Sequence, residues 1–380
     1  MSRESEPNGS VREQFAALRD PRVERTRRHE LLDIITIALC AVICGAESWV
    51  EVETWGRVKQ DWLRTFLALP GGIPSHDTFG RVFAALDPEQ FEHCFLAWVA
   101  AGTRAPAGEV IAVDGKCLRR SGEGATGRGP LHLVSAWATT RGVVLGQVAV
   151  AAKSNEITAL PVLLEALALE GCVVTVDAMG CQTEVARTIV ARQADYVLAV
   201  KSNQPWLAED VAEFFTDAHA LAFADVAHST ARTVDNDHGR LEIRQVWATD
   251  DPEAIAYIDP QHRWTGLRSV AMVTPERRRG ETGSQDTRYY ISSLPGDAHA
   301  LGAAIRRHWA VENSLHWVLD VAFDEDHCRV RVGHAAENFA ILRRCALNLL
   351  RRESTARIGI KAKRLKAGWD ETYLARVLHA

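Results

Sequence analysis

Val110-Ile111-Ala112-Val113-Asp114-Gly115-Lys116 and Val173-Val174-Thr175-Val176-Asp177-Ala178 are two short apolar runs, each ending in an aspartate. Runs of four or five β-branched or small apolar residues, bounded by glycine and polar residues, read as buried strands. Working outward, Leu131–Thr139 and Val143–Ala151 are further β-rich runs separated by glycine-containing turns. Ile157–Leu169 reads as a helix with Pro161 in its first turn, Cys172–Val176 as a strand, Thr183–Arg192 as a helix and Asp195–Val200 as a strand. The order is β-β-β-α-β-α-β. It places Asp114 on the first strand and Asp177 on the fourth, so both carboxylates emerge at neighbouring central strands. A third acidic residue, Glu312, lies in the helical stretch His308-Trp309-Ala310-Val311-Glu312-Asn313.

This element order is that of an RNase H-like fold, an α/β class. Two strand-end aspartates followed by a helix-borne glutamate is the order used by nucleic-acid strand-transfer enzymes on that core. In such chemistry the carboxylates hold two divalent ions about 4 Å apart, which clamp the attacking and leaving oxygens of a phosphodiester. The stretch between Asp177 and Glu312 is too long for a simple connection. A helix over Pro205–Ala218 precedes four strand-like runs, Ala231–Val234, Glu242–Ala248, Ser269–Thr274 and Arg288–Ser293, read as a β-rich insertion. Long helices follow over Ala298–Phe323 and Ala335–Arg352.

Residues 30–100 read as helices. Leu31 to Ala46 is almost wholly apolar but contains Asp33 and is followed by Glu47 and Glu51, so it fits a buried helix better than a membrane span. Trp49–Phe66 carries Val52, Trp55, Val58, Trp62 and Leu63 near helical spacing. After the turn Leu69–Pro74, Ser75 is placed to cap a new helix, opening His76-Asp77-Thr78. A helical hairpin of this kind suits a helix-turn-helix DNA reader, with His76 and Arg81 as candidate contacts, or a purely structural cap.

Composition sets wider bounds. The chain has 380 residues, 47% hydrophobic and 24% charged, as in ordinary globular proteins. The net charge of −5 excludes a uniformly basic DNA-binding protein. Local basic clusters remain: Arg22, Arg25, Arg27 and Arg28 near the start, and Arg343, Arg344, Arg351, Arg352, Arg357, Lys361, Lys363, Arg364 and Lys366 near the end. Such clusters bind phosphate or form solvated helix faces. The eight cysteines form no C-x-x-C pair and no zinc-like spacing, which reads as reduced thiols in a cytosolic protein. The first 28 residues are polar, with no apolar signal-peptide core.

Several ordered motifs together resemble bacterial insertion-sequence transposases of the DDE superfamily, in the H-repeat-associated (ISAs-type) branch. They include His29–Ile34 running to Cys44-Gly45-Ala46-Glu47-Ser48-Trp49, Gly72–Phe79, Ile111–Lys116 and Val176-Asp177-Ala178-Met179-Gly180-Cys181-Gln182. Lys201-Ser202-Asn203-Gln204, His238-Gly239-Arg240 with Glu242 and Arg244, and His308–Trp317 continue the match. Glu337-Asn338, Arg343-Arg344 and Lys363–Gly368 complete it, so the likeness spans roughly residues 20 to 378. It implies a polar basic segment (1–28), a helical terminal-repeat-binding domain (29–105), a catalytic core in two parts (106–204 and 297–380) and a β-rich insertion (205–296).

The resemblance further implies strand cleavage and strand transfer with two Mg²⁺ or Mn²⁺ ions. Asp114 would bridge both ions, and Asp177 and Glu312 would each complete one shell. DNA is the implied partner, as terminal inverted repeats and target, with a homodimer in the synaptic complex, no membrane, and a nucleoid-associated cytoplasmic location. Lys116, Arg119, Lys201, Asn203 and Gln204 are candidate DNA contacts beside the aspartates; His238, Arg240 and Arg244 are candidates in the insertion. The wider superfamily often carries tyrosine, arginine and lysine around the glutamate; here those positions hold Ile305, His308 and Leu319, with Arg306 and Arg307 next door as phosphate contacts. On the glutamate helix, Glu312 is expected to face the metals, Trp309 and Leu315 or Leu319 to pack the core, and His308 and His316 to flank the site. Only part of the ridge His308, Glu312, His316 and Asp320 is expected to face it, since four residues overshoot one turn by about 40°. Two rivals remain open: a zinc hydrolase built on His308, Glu312 and His316, which lacks the two-histidine i, i+4 peptidase spacing, and a catalytically silent DNA-binding derivative.

Overall fold

The computed structural model describes residues 11–102, 105–122, 129–150, 154–237, 240–279 and 282–380. Its strands are β1 (Val110–Leu118), β2 (Leu131–Ala138), β3 (Val143–Ala149), β4 (Val173–Val176), β5 (Asp195–Val200), β6 (Ser229–Asp237), β7 (Arg240–Thr249), β8 (Ser269–Arg279), β9 (Thr282–Gln285) and β10 (Arg288–Ser292). They join in a single sheet of order β3-β2-β1-β4-β5-β10-β8-β7-β6, with β9 paired to β8. β1, β2 and β3 are antiparallel, while β1, β4 and β5 run parallel. The paired centres of the parallel strands are mostly apolar because helices cover both faces there: Ile111, Val113, Val174 and Leu198 are all buried.

The strands after the helix Pro205–Ala220 continue this sheet. β10 pairs antiparallel with β5, from Tyr289 opposite Val200 to Ser292 opposite Val197. The helix Ala298–His308 seals the join. Beneath it one apolar cluster draws Val110, Val173 and Val197 from the first strands and Val246, Val273 and Tyr290 from the later ones.

The N-terminal helices share the main core with the sheet. The helix Leu31–Ile43 is buried along nearly its whole length and lies against the long helix Ala335–Arg352. Asp33 is tolerated there because it accepts the Leu69 amide at 3.1 Å and lies 3.8 Å from Arg12. Ser48 and Glu51 form a capping box on the helix Trp49–Val58. Ser75 caps the helix His76–Ala85 by accepting the Thr78 amide at 3.4 Å. The expected helix over Trp49–Phe66 is broken after Val58 and resumes as Gln60–Leu63.

Four of the nine residues of the C-terminal basic cluster point inward, against the reading of a solvated or phosphate-binding surface. Arg343, Arg344, Lys363 and Arg364 are buried. Glu47 accepts from Arg343 at 3.2 Å and from Arg364 at 2.7 Å, tying the loop after Leu31–Ile43 to the chain's end. Lys363 donates to the Leu350 carbonyl at 2.8 Å. Arg357 and Lys361 stay exposed. All eight cysteines are free thiols. Among the described residues, no helix is long and apolar enough to cross a membrane.

Candidate active site

Val113 and Val176 are register partners on parallel strands. Asp114 and Asp177 each follow by one residue, so their backbones sit side by side at about the 4.8 Å strand spacing. β1 continues past Asp114, whereas β4 stops and Asp177 caps the next turn, accepting the Met179 amide at 3.1 Å and the Gly180 amide at 3.3 Å. Asp114 accepts the Gly115 amide at 2.9 Å, and its second oxygen lies 3.5 Å from His316 Nδ1. Glu312 approaches from the helix above. All three carboxylates line one solvent-open cleft of about 770 Å³, together with Lys201, Arg288, His308 and Trp309.

The glutamate helix is not uniform. It runs as Ala298–His308, then a π turn over Glu312–His316, then Trp317–Phe323. A π turn closes on the fifth residue instead of the fourth, so it takes back the rotation that a regular helix accumulates. As a result the His308–Asp320 ridge stays on the sheet side further than a regular helix allows. His308 Nδ1 is 3.0 Å from Thr175 Oγ1, His316 reaches Asp114, and Asp320 reaches Lys116. Arg351 donates to the Ser314 carbonyl at 2.6 Å and ties the π turn to the long helix. Leu315 and Leu319 are fully buried, as expected, but Trp309 is turned outward and is 47% exposed, which corrects its expected core role. Ile305 and Leu319 are core residues, so apolar side chains at these two positions serve packing.

Burial, and then the charges of Asp177, Glu312 and Glu156, push the Asp114 carboxyl up to about 7. Glu156 is a fourth carboxylate at this site, missed in the sequence because it precedes the expected helix start. It begins the helix Glu156–Ala166 and lies so close over β1 that any side chain at position 115 would overlap its carboxylate. Gly115 leaves room for that carboxylate, and a side chain there would displace it. Burial, with Lys116 and Arg344 nearby, pushes His316 down to about 4, and burial lowers His308. Both imidazoles are neutral near pH 7 and each serves a different partner. Among the described residues, no three His, Cys, Asp or Glu side chains close on a single metal-sized point; the carboxylates ring the cleft.

Two family models match this chain: a transposase DDE domain over residues 105–349 and a DDE_Tnp_1-associated region over residues 12–99. The chain belongs to the DDE transposase family. It is 39% identical to the putative transposase YncI of Escherichia coli, over 97% of this chain and 94% of that protein. It is 38% identical to the H repeat-associated putative transposase YhhI of Escherichia coli, over 92% of each. An uncharacterized protein in the dhlA 3' region of Xanthobacter autotrophicus is 42% identical, over 74% of this chain and 94% of that one.

The remaining expected contacts of this DDE-family chain divide into three groups. Lys116 is buried beside Asp320 and 3.2 Å from Glu325, which in turn pairs with Arg344 at 2.6 Å. That places it as a strut below Asp114 instead of at DNA. Asn203 donates to the Ala178 carbonyl and Gln204 to the Cys181 carbonyl at 2.9 Å, so both amides hold the loop that follows Asp177.

Lys201 is exposed on the cleft wall, Arg119 is exposed 3.3 Å from Asp326, and Arg307 is exposed on its helix. A second hollow of about 1800 Å³ lies between the helix Ala298–His308 and the late strands; Arg244, Arg288 and Arg306 line it and it ends at Glu312. Arg244 also lies 2.6 Å from Glu242.

His238 falls outside the described residues, and so does the side chain of Arg240, whose backbone is in β7. His76 and Arg81 are exposed on the helix His76–Ala85, remote in sequence from the cleft; His76 Nδ1 is 2.6 Å from Glu53 and Arg81 donates to the Asp77 carbonyl at 3.2 Å.

Proposed function

We propose that this chain is a DNA transposase that cleaves and joins strands at the ends of an insertion sequence, by DDE two-metal phosphoryl transfer on an RNase H-like core. One observation carries the reading. Asp114 and Asp177 stand side by side, with Glu312 across the cleft, and burial, followed by repulsion from the neighbouring carboxylates, raises the Asp114 carboxyl to about 7. Buried Lys116, two residues along β1 from Asp114, is committed to Asp320 and Glu325. A ring of carboxylate oxygens fits hard divalent cations such as Mg²⁺ or Mn²⁺. Asp114, Asp177 and Glu312 are the residues that would hold them. When bound, such ions polarise the phosphate and activate the attacking oxygen.

The strand order β3-β2-β1-β4-β5, antiparallel then parallel, supports the RNase H-like assignment. This chain's own contribution is placement, which phosphoryl transfer chiefly needs. His316 orients Asp114, Thr175 and His308 brace the cleft wall, and Asn203 and Gln204 fix the loop after Asp177. Lys201 stands on the cleft wall, where it can meet a phosphate. Water would cut a strand at the element's end, and the freed 3′-hydroxyl would then attack target DNA. Residues 29–105 would read the terminal repeat, residues 205–296 form the insertion, and two copies would pair the two ends.

The test is nicking of a duplex carrying the element's own terminal repeat. Activity with Mg²⁺ or Mn²⁺ but not Ca²⁺, abolished in Asp114→Ala with repeat binding intact, is the expected result. Metal-independent nicking, or an Asp114→Ala protein as active as wild type, overturns the proposal.

A further inference from the structure

The aspartate pair is reached from both faces of the sheet. Side chains alternate along a strand, so Asp114 and Lys116 of β1 face one way and Gly115 faces the other. The first face belongs to the glutamate helix, where His316 reaches Asp114 and Asp320 meets Lys116. On the second face the helix Glu156–Ala166 packs against β2, β3 and the turn Ala178–Gly180 that follows Asp177. Glu156 opens that helix and is half-buried. Both of its carboxylate oxygens lie where a Cβ on Gly115 would stand. The Gly115 amide is the one that Asp114 accepts at 2.9 Å, so the two carboxylates meet at one residue from opposite faces. Burial and the charge of Asp177 push the Glu156 carboxyl up, with His132 opposing, and Glu156 in turn acts on Asp114.

A first-turn acid can serve its own helix through the dipole. This one is instead laid down on the catalytic strand, between the two aspartates and on the side that Glu312 does not cover. Like charges brought together disfavour each other's ionised form, and a bound cation reverses that. Hard divalent ions take oxygen ligands, and the affinity of a site rises with the number of charged ones. We propose that Glu156 is a fourth member of the catalytic set, facing a divalent ion at Asp114 and Asp177 from the sheet face opposite to Glu312 and raising the affinity of the site for it. Gly115 has a part in this, because its missing side chain is the space that the Glu156 carboxylate occupies. The proposal rests on the transposase reading and adds to it a residue outside the Asp–Asp–Glu set.

The experiment titrates the full-length protein with Mn²⁺, reading free Mn²⁺ by electron paramagnetic resonance, and records melting temperatures at pH 8 with and without Ca²⁺. Glu156→Gln should raise the half-saturating Mn²⁺ concentration by about tenfold or more, as loss of a charged ligand predicts. Its melting temperature without metal should equal or exceed that of wild type, because one of the repelling charges is gone. The rise in melting temperature that Ca²⁺ produces should be smaller than in wild type, since a weaker ligand stabilises the fold less at the same concentration. Gly115→Ala keeps the glutamate but displaces it, and should show the same weakened Mn²⁺ binding. In nicking of a terminal-repeat duplex, excess Mn²⁺ should restore much of the rate of Glu156→Gln and none of the rate of Asp114→Ala. If wild type nicks while Glu156→Gln binds Mn²⁺ as tightly and gains as much from Ca²⁺ as wild type, the fourth-carboxylate role is refuted and the transposase reading stands. If Glu156→Gln melts several degrees below wild type without metal, with Mn²⁺ binding intact in Gly115→Ala, the glutamate serves only its helix and the proposal is likewise refuted. If wild type takes up no Mn²⁺ and nicks no duplex, the transposase reading has failed and this proposal with it.

Discussion

Replacing Lys116 with methionine separates two roles that the same residue could play. The amine lies beside Asp320 and 3.2 Å from Glu325, and Glu325 is fully buried. Removing one partner of a buried ion pair costs about 3–5 kcal/mol, because the other is left charged and unsolvated. Two features lower that figure here. Glu325 keeps Arg344 at 2.6 Å, and the Asp320 side chain is 33% exposed, so solvent screens it. The expected loss is therefore about 2–3 kcal/mol, measured as a shift in urea midpoint at constant slope. Burial would push the Glu325 carboxyl up, but Arg344, Lys116 and Arg343 override it and hold it at about 2. A depressed carboxyl stabilises above its unfolded value and loses that contribution as pH falls through the folded one. The Lys116→Met deficit should thus be full at pH 7 and shrink between about pH 4 and pH 2. Repeat-DNA affinity and its salt dependence should be nearly unchanged. Unchanged stability, with a salt slope reduced by about one, would instead make Lys116 a phosphate contact and refute the strut.

Asp177→Ala and Glu312→Gln should each lower nicking by roughly 10³-fold or more, as loss of an essential transition-state group does, while a footprint on the terminal repeat persists. Asp114 has a raised carboxyl, protonated in the fold and ionised when unfolded between about pH 4 and pH 7, so metal-free stability should fall as pH rises through that window; Asp114→Asn should melt above wild type at pH 8 without metal, and equal melting would refute the buried-charge account. His76→Ala and Arg81→Ala should relax discrimination between repeat and random DNA, read by competition binding. Full-length protein is required for that assay, because the N-terminal helices share their core with Ala335–Arg352.

Local order was legible from the chain alone. Runs such as Val110–Val113 and Val173–Val176 are too short and too apolar to be anything but buried strands, and the aspartates that end them mark the cleft. Ser75 announces its helix because an N-cap is a short-range hydrogen bond. The family motifs, which are contiguous, were likewise visible.

What escaped was decided by partners distant in sequence. Nothing near Lys116 announces Glu325, and nothing near Arg364 announces Glu47, so charged residues that look like a surface are interior struts. The π turn over Glu312–His316 has no residue signature; Arg351 holds it from the long helix, and Trp309, just before it, faces outward. Glu156 stands over Gly115 and beside Asp114 only in the folded chain, since the two lie about forty residues apart in sequence. The late strands were readable as strands, but their pairing to β5 is a long-range choice made by the apolar cluster under Ala298–His308. Periodicity and capping act over one or two turns of chain, and so the sequence by itself determined most of the elements and singled out the three acidic residues that line the cleft. Desolvation and charge pairing act through space, and only the tertiary structure decided which cations face the cleft, which are buried, and where the groove meets the cleft.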